Sequence, residues 1–101
     1  MQLVQIFLPL KDHAGKPFPA SLFAQVENEL VQAFGGLTAF QQAPAKGLWK
    51  DEGRISKDDI IVIEVMTEAL QAGWWKTYRK KLEARFAQEA VVIRASGITL
   101  I

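Results

Sequence analysis

Two side chains in this 101-residue sequence stand where a proton could be moved. Glu64 is the lone charge inside the apolar run IIVIEVM, residues 60–66. A carboxylate closed into an apolar space loses hydration, its pKa rises, and it becomes competent as a general base or acid. The plain structural alternative is an ion pair with Arg94, or with an arginine of a partner. His13 is the only histidine and falls in KDHAGKPFP, residues 11–19, a loop by its glycine and proline content. Loops on a rigid scaffold often carry functional groups, although a solvated loop histidine is the ordinary case. One histidine beside Asp12 is weak ligand spacing, so no metal is expected, and nothing calls for a cofactor.

A second set of residues is suited to binding. Trp49 and Arg54 flank the turn signal inside GLWKDEGRI, residues 47–55. An indole and a guanidinium there can stack on a planar or anionic molecule, or the ring can simply pin the hairpin tip. Phe7 and Val62 would meet the same ligand from the sheet. Trp74-Trp75 falls within one helical stripe and reads as core. Lys76, Arg79, Lys80, Lys81 and Arg85 are interrupted by Glu83 and read as a solvated helix face.

The elements that must position these groups follow from pattern. QLVQIFLPL, residues 2–10, is a strand apolar on both parities, hence central. From Pro19 to Phe34, Leu22, Phe23, Val26, Leu30, Ala33 and Phe34 fall on one stripe at about 100° per residue. Gly35-Gly36 stops that helix. LTAFQQA, residues 37–43, reads as a second strand, followed by a long connection over 44–57. DDIIVIEVM, residues 58–66, is the clearest strand. A second helix is expected from Glu68 to about Ala87, capped by Thr67, with Leu70, Trp74, Trp75, Tyr78, Leu82 and Phe86 inward. AVVIRA, residues 90–95, is the last strand.

The order β-α-β-β-α-β predicts an α+β, ferredoxin-like domain spanning 1–101: a four-stranded antiparallel sheet with two helices on one face and the first and third strands central. The other face then shows Leu3, Phe7, Ile60, Val62 and Met66, with Phe40 beside them. A patch of this kind exceeds what a soluble monomer usually exposes. Covering it is worth roughly 10 kcal/mol before association costs, and a second copy is the simplest cover. A homodimer through the open face is therefore expected, with a small apolar or aromatic ligand as a further partner.

Composition excludes several classes. The chain has no cysteine, which removes disulfides, thiolate metal sites and cysteine nucleophiles. A net charge of +1 gives no general pull toward nucleic acid or anionic membrane. No apolar run nears the ~20 residues of a membrane span, and the start MQLVQIFLPLKDH lacks a basic n-region, so a cytoplasmic protein is expected. The third strand lacks the aromatic and basic residues of RNA-binding sheets. Gln2 after the initiator argues against tautomerases that use a proline there. No phosphate loop, GxSxG or HExxH occurs.

FGGLTAF at 34–40, GLWKDEGRI at 47–55, DDIIVIEVM at 58–66 and RFAQEAVV at 85–92 together resemble a bacterial domain-of-unknown-function family of small, often exported proteins. The resemblance covers roughly half the chain. It implies a ferredoxin-like fold and no activity; in it, Gln88 and Glu89 would close the helix end. The expected function is a binding or structural one for a small homo-oligomer. Two alternatives stand beside it. One is a cofactor-independent enzyme of the dimeric α/β-barrel type, a monooxygenase or isomerase using Glu64 or His13. The other is a regulatory module that binds a protein through the basic helix face.

Overall fold

The structure, a computed structural model, describes residues 1–35, 38–51 and 54–101, and between 38 and 59 it describes the backbone only. The elements run β1 (Gln2–Pro9), α1 (Ala20–Phe34), β2 (Thr38–Asp51), β3 (Arg54–Thr67), α2 (Ala72–Arg85) and β4 (Val92–Gly97). The strands lie in the order β2-β3-β1-β4, each antiparallel to its neighbour. The first and third strands, expected to be central, are the two inner ones.

Val4, Ile6 and Leu8 from β1 and Ile61, Ile63 and Val65 from β3 point to one side, where they are buried against Val26 and Leu30 of α1 and Trp75, Tyr78 and Leu82 of α2. Both helices therefore cover the same face. Phe86, just past α2, is fully buried, with ring contacts to Phe18 at 5.1 Å and Phe23 at 5.3 Å. It closes one end of the core. Phe34, Trp74, Trp75 and Tyr78 close the other through edge-on and stacked contacts 4.8–6.1 Å apart. Trp74-Trp75 is thus core, with Trp74 only half-buried.

Pro19 is the N-cap of α1, one residue outside the helix. Gly35 ends it at φ 80°, its N–H donating to the Val31 carbonyl at 2.7 Å. Glycine takes that left-handed position without a Cβ penalty. Two boundaries depart from the pattern reading. The stretch expected as a connection over 44–57 is mostly strand, because β2 and β3 continue pairing as far as Asp51↔Arg54, past a register shift between Phe40 and Ala45. And α2 starts at Ala72, not Glu68. Thr67 belongs to β3, paired with Gln2, and its hydroxyl donates to the Ala69 carbonyl at 3.1 Å. Ladder pairing on β1 holds Thr67 extended, so it cannot cap a helix, and Leu70 falls outside α2 and is exposed.

The two helices are tied by a charged clamp. Glu29 of α1 accepts two hydrogen bonds from the Arg85 guanidinium, at 2.6 and 2.9 Å, and one from the Tyr78 hydroxyl at 3.0 Å. The Arg85 hydrogen bonds hold the Glu29 carboxyl below its ordinary range, against the opposing effect of burial. Burial, and then the bond to Glu29, push the Tyr78 phenol well above its usual value. Arg85, expected on the solvated basic face, is an inter-helix anchor instead.

Candidate functional site: a charged row on the open sheet face

Residues directly opposite in an antiparallel ladder share a face. On the side away from the helices, Leu3, Gln5, Phe7 and Pro9 of β1 pair with Met66, Glu64, Val62 and Ile60 of β3. On β1's other flank, Leu3, Gln5 and Phe7 pair with Ser96, Arg94 and Val92 of β4. The face is therefore built in rows. One is apolar: Val62, Phe7, Val92. The next is polar: Glu64, Gln5, Arg94. The third mixes Met66 and Leu3 with Ser96.

The polar row is hydrogen-bonded end to end. Gln5 Nε2 donates to Glu64 Oε2 at 2.6 Å, and Arg94 Nε donates to Gln5 Oε1 at 2.8 Å. A carboxamide suits that middle position, since it offers a donor to the carboxylate and an acceptor to the guanidinium. The Arg94 guanidinium also lies 4.9 Å from the centre of the Phe7 ring, a cation–π distance. Among the described residues neither the terminal nitrogens of Arg94 nor Oε1 of Glu64 has a further partner. The row can accept both an acidic and a basic group from outside.

Exposure across this face is uneven. Val62 is 6% exposed, whereas Met66 is 51% and Val92 58% exposed. Phe7 is half-buried. Of the apolar surface read from the sequence, Leu3, Phe7 and Ile60 are partly exposed and Met66 is exposed, whereas Val62 is buried within the chain. Val92 and Gln5 are additions that strand register alone reveals, and Arg94, expected to pair directly with Glu64, is bridged to it by Gln5 instead. Phe40 is the register partner of Val62, and its side chain lies outside the described residues.

The other candidates lie elsewhere. His13 is on the loop after β1, where its Nε2, when protonated, donates to the Ala87 carbonyl at 3.3 Å. It is thereby tied to the segment after α2, which packs on the covered face, so Glu64 and His13 are not brought together. Asp12 is occupied as a turn organiser: its Oδ1 accepts the backbone N–H of Ala14 and of Lys16, both at 2.9 Å. Among the described residues no group of three His, Cys, Asp or Glu side chains could hold a metal. Trp49 pairs with Ser56 and Arg54 with Asp51, toward the hairpin tip and away from Glu64; their side chains lie outside the described residues. A separate cleft of about 220 Å³ lies between α2 and β4, bordered by Leu70, Trp75, Lys76 and Arg79. Arg94 of the polar row also borders it, whereas Glu64, His13, Phe7 and Val62 do not.

Chains of this architecture are known. The phage SAM lyase in complex with S-methyl-5'-thioadenosine superposes with a TM-score of 0.68 at 16% identity, over 94% of this chain and 79% of that one. The PII-like protein CutA from Nostoc sp. PCC 7120 in apo form gives 0.65 at 10% identity, over 97% and 81%. The divalent cation tolerance protein (Cut A1) from Thermus thermophilus gives 0.65 at 14%, over 99% and 86%. At such identities the likeness establishes the α+β fold alone. No protein-family model and no curated protein matches the chain. Among the described residues no helix is long and apolar enough to cross a membrane.

Proposed function

We propose that this chain is a homo-oligomeric binding protein, a dimer in its simplest closed form, joined through the open sheet face of a ferredoxin-like domain. A small apolar or aromatic ligand would sit against Phe7 and Val62 in the enclosed space. The observation that carries this reading, Val62 being already buried within the chain, is the partly or fully exposed apolar set Leu3, Phe7, Met66 and Val92 on the face neither helix covers. Leaving it in water forgoes the burial that a second copy would provide. Membership in the bacterial family that GLWKDEGRI and DDIIVIEVM resemble is part of the same proposal, as is a place for Trp49 and Arg54 at the rim of the ligand space.

Sedimentation velocity tests it. The wild type is expected to sediment at twice its 11.3 kDa, and Phe7→Glu at the single-chain mass with its circular dichroism retained. A wild type that stays a single chain at several hundred micromolar would overturn the proposal. Indole is the probe for the ligand space: saturable binding that weakens in Phe7→Leu is the expected result.

One observation favours a second reading as an enzyme. Glu64 is held by Gln5 on the same face as the apolar row, in the orientation a fixed proton acceptor needs. That a chain of this fold is a SAM lyase holding S-methyl-5'-thioadenosine supports an enclosed, nucleoside-sized site without assigning a role to any residue. In this reading Glu64→Gln abolishes turnover and leaves ligand binding intact.

A further inference from the structure

We infer that the two ends of the polar row are made for each other across the interface: Arg94 of one copy pairs with the partner's Glu64, about a two-fold axis running along β1. This rests on the reading above that a second copy covers the open face.

The argument begins with spacing. Neighbouring strands lie about 4.8 Å apart, so the backbones of Glu64 and Arg94, on strands either side of β1, are separated by roughly 10 Å. Gln5 occupies the gap and bonds both. Glu64 and Arg94 form no direct ion pair within the chain, and among the described residues each keeps unused capacity. The row thus has a negative end, a neutral centre and a positive end.

Two sheets packed face to face with their strands aligned can be related by a two-fold axis lying in the interface along the strands, or by one lying across them through the polar row. The across-strand axis sets each row on strands of the same order. Glu64 would meet the partner's Glu64 and Arg94 the partner's Arg94, which is repulsive at both ends. The axis along β1 reverses the order. Then Arg94 meets the partner's Glu64 twice over, and the two Gln5 amides meet at the centre. The same operation sets Phe7 on the partner's Phe7 and Val62 opposite the partner's Val92, so apolar rows face apolar rows. The usual offset of about 30° between packed sheets displaces the ends of the rows more than the centre. Charge therefore selects one of two arrangements, each of which buries apolar side chains of this face.

Four strands by six residues, the length of β4, give roughly 400 Å² in plan per copy. A standard interface takes about 800 Å² of accessible surface from each partner, so the charge pairing has to fix an arrangement that area alone does not.

The test is a charge swap between chains, read by sedimentation equilibrium with circular dichroism as the check on folding. Glu64→Arg carries two positive ends and Arg94→Glu two negative ends. Each alone is expected to self-associate at least about 30-fold more weakly than the wild type, as expected for truncating a buried charge pair. Mixed in equal amounts, they are expected to associate with each other to within about tenfold of the wild type, a range that one imperfectly restored contact spans. If either variant fails to fold, Glu64→Gln and Arg94→Gln replace the pair: each alone weakens association, and mixing them regains one intact Arg94–Glu64 contact beside a neutral Gln–Gln one, so the mixture associates more tightly than either variant alone. A dimeric wild type whose charge variants associate as well as it does, or whose mixture gains nothing over its parts, overturns this pairing and leaves the covered face standing. A monomeric wild type overturns both.

Discussion

Replacing Glu29 with glutamine probes whether the inter-helix clamp carries stability. The side chains of Arg85 and Glu29 are 12% and 28% exposed, so the pair is neither fully buried nor a surface contact. In the variant, the amide oxygen still accepts from Tyr78 and from one Arg85 nitrogen. The amide nitrogen, however, faces the second Arg85 nitrogen, donor against donor, and a half-buried guanidinium loses its counter-charge. Breaking a fully buried pair costs about 3–5 kcal/mol, and an exposed one less than about 1. Between those limits a loss of about 2 kcal/mol is expected, lowering Tm by about 8–16 °C for a domain of this size. Urea melts at fixed protein concentration measure it, since association would otherwise shift the midpoint. The double variant with Arg85→Gln should return a coupling of more than about 1 kcal/mol.

The pH dependence supplies an independent check. Folding lowers the Glu29 pKa. Its contribution is therefore complete above the unfolded carboxylate value of about 4.3, and is lost as pH falls through the lower folded value. The gap between wild type and Glu29→Gln should close on acidification. A gap under about 0.5 kcal/mol at neutral pH, or one unchanged by acid, would refute the clamp as a source of stability.

Two further outcomes follow from the packing. Tyr78→Phe should cost about 1.5 kcal/mol at neutral pH, as expected for a hydrogen bond to a charged group; because folding raises the tyrosine pKa, the wild type should lose that advantage above the unfolded value of about 10, which denaturant melts on either side of that pH would show. Phe86→Ala removes a fully buried ring that contacts Phe18 and Phe23, and a loss of about 3–5 kcal/mol should leave the chain largely unfolded at 37 °C; a cooperative melt within about 1 kcal/mol of wild type would show that the ring closes nothing.

The order of elements was legible because each carries a period. β1 is largely apolar on both parities, and the crossovers set it and β3 at the centre of the sheet. The stripe of α1 lands on the core at Val26 and Leu30, although Ala33 stays exposed. The boundaries that failed did so for one reason. Proline, glycine and charge between 44 and 57 signal turns locally, while the strands there are held by pairing with each other. Thr67 has the chemistry of a cap and the geometry of a strand for the same reason.

For the site, the sequence by itself determined the ingredients. It offered one carboxylate inside an apolar strand, apolar residues on the uncovered parity, and a set of chemistries that absent residue types remove. Only the tertiary structure decided which of them meet. Gln5 gave no sign of importance, because its role depends on Glu64 standing opposite it on one flank and Arg94 on the other, 59 and 89 residues away. Glu29 was equally silent, and Arg85 read as a solvated charge, until the two helices packed together. Periodicity is a property of a segment and survives in the one-dimensional chain. Cross-strand register and helix contact belong to pairs of segments, and their energy exists only once the chain has closed.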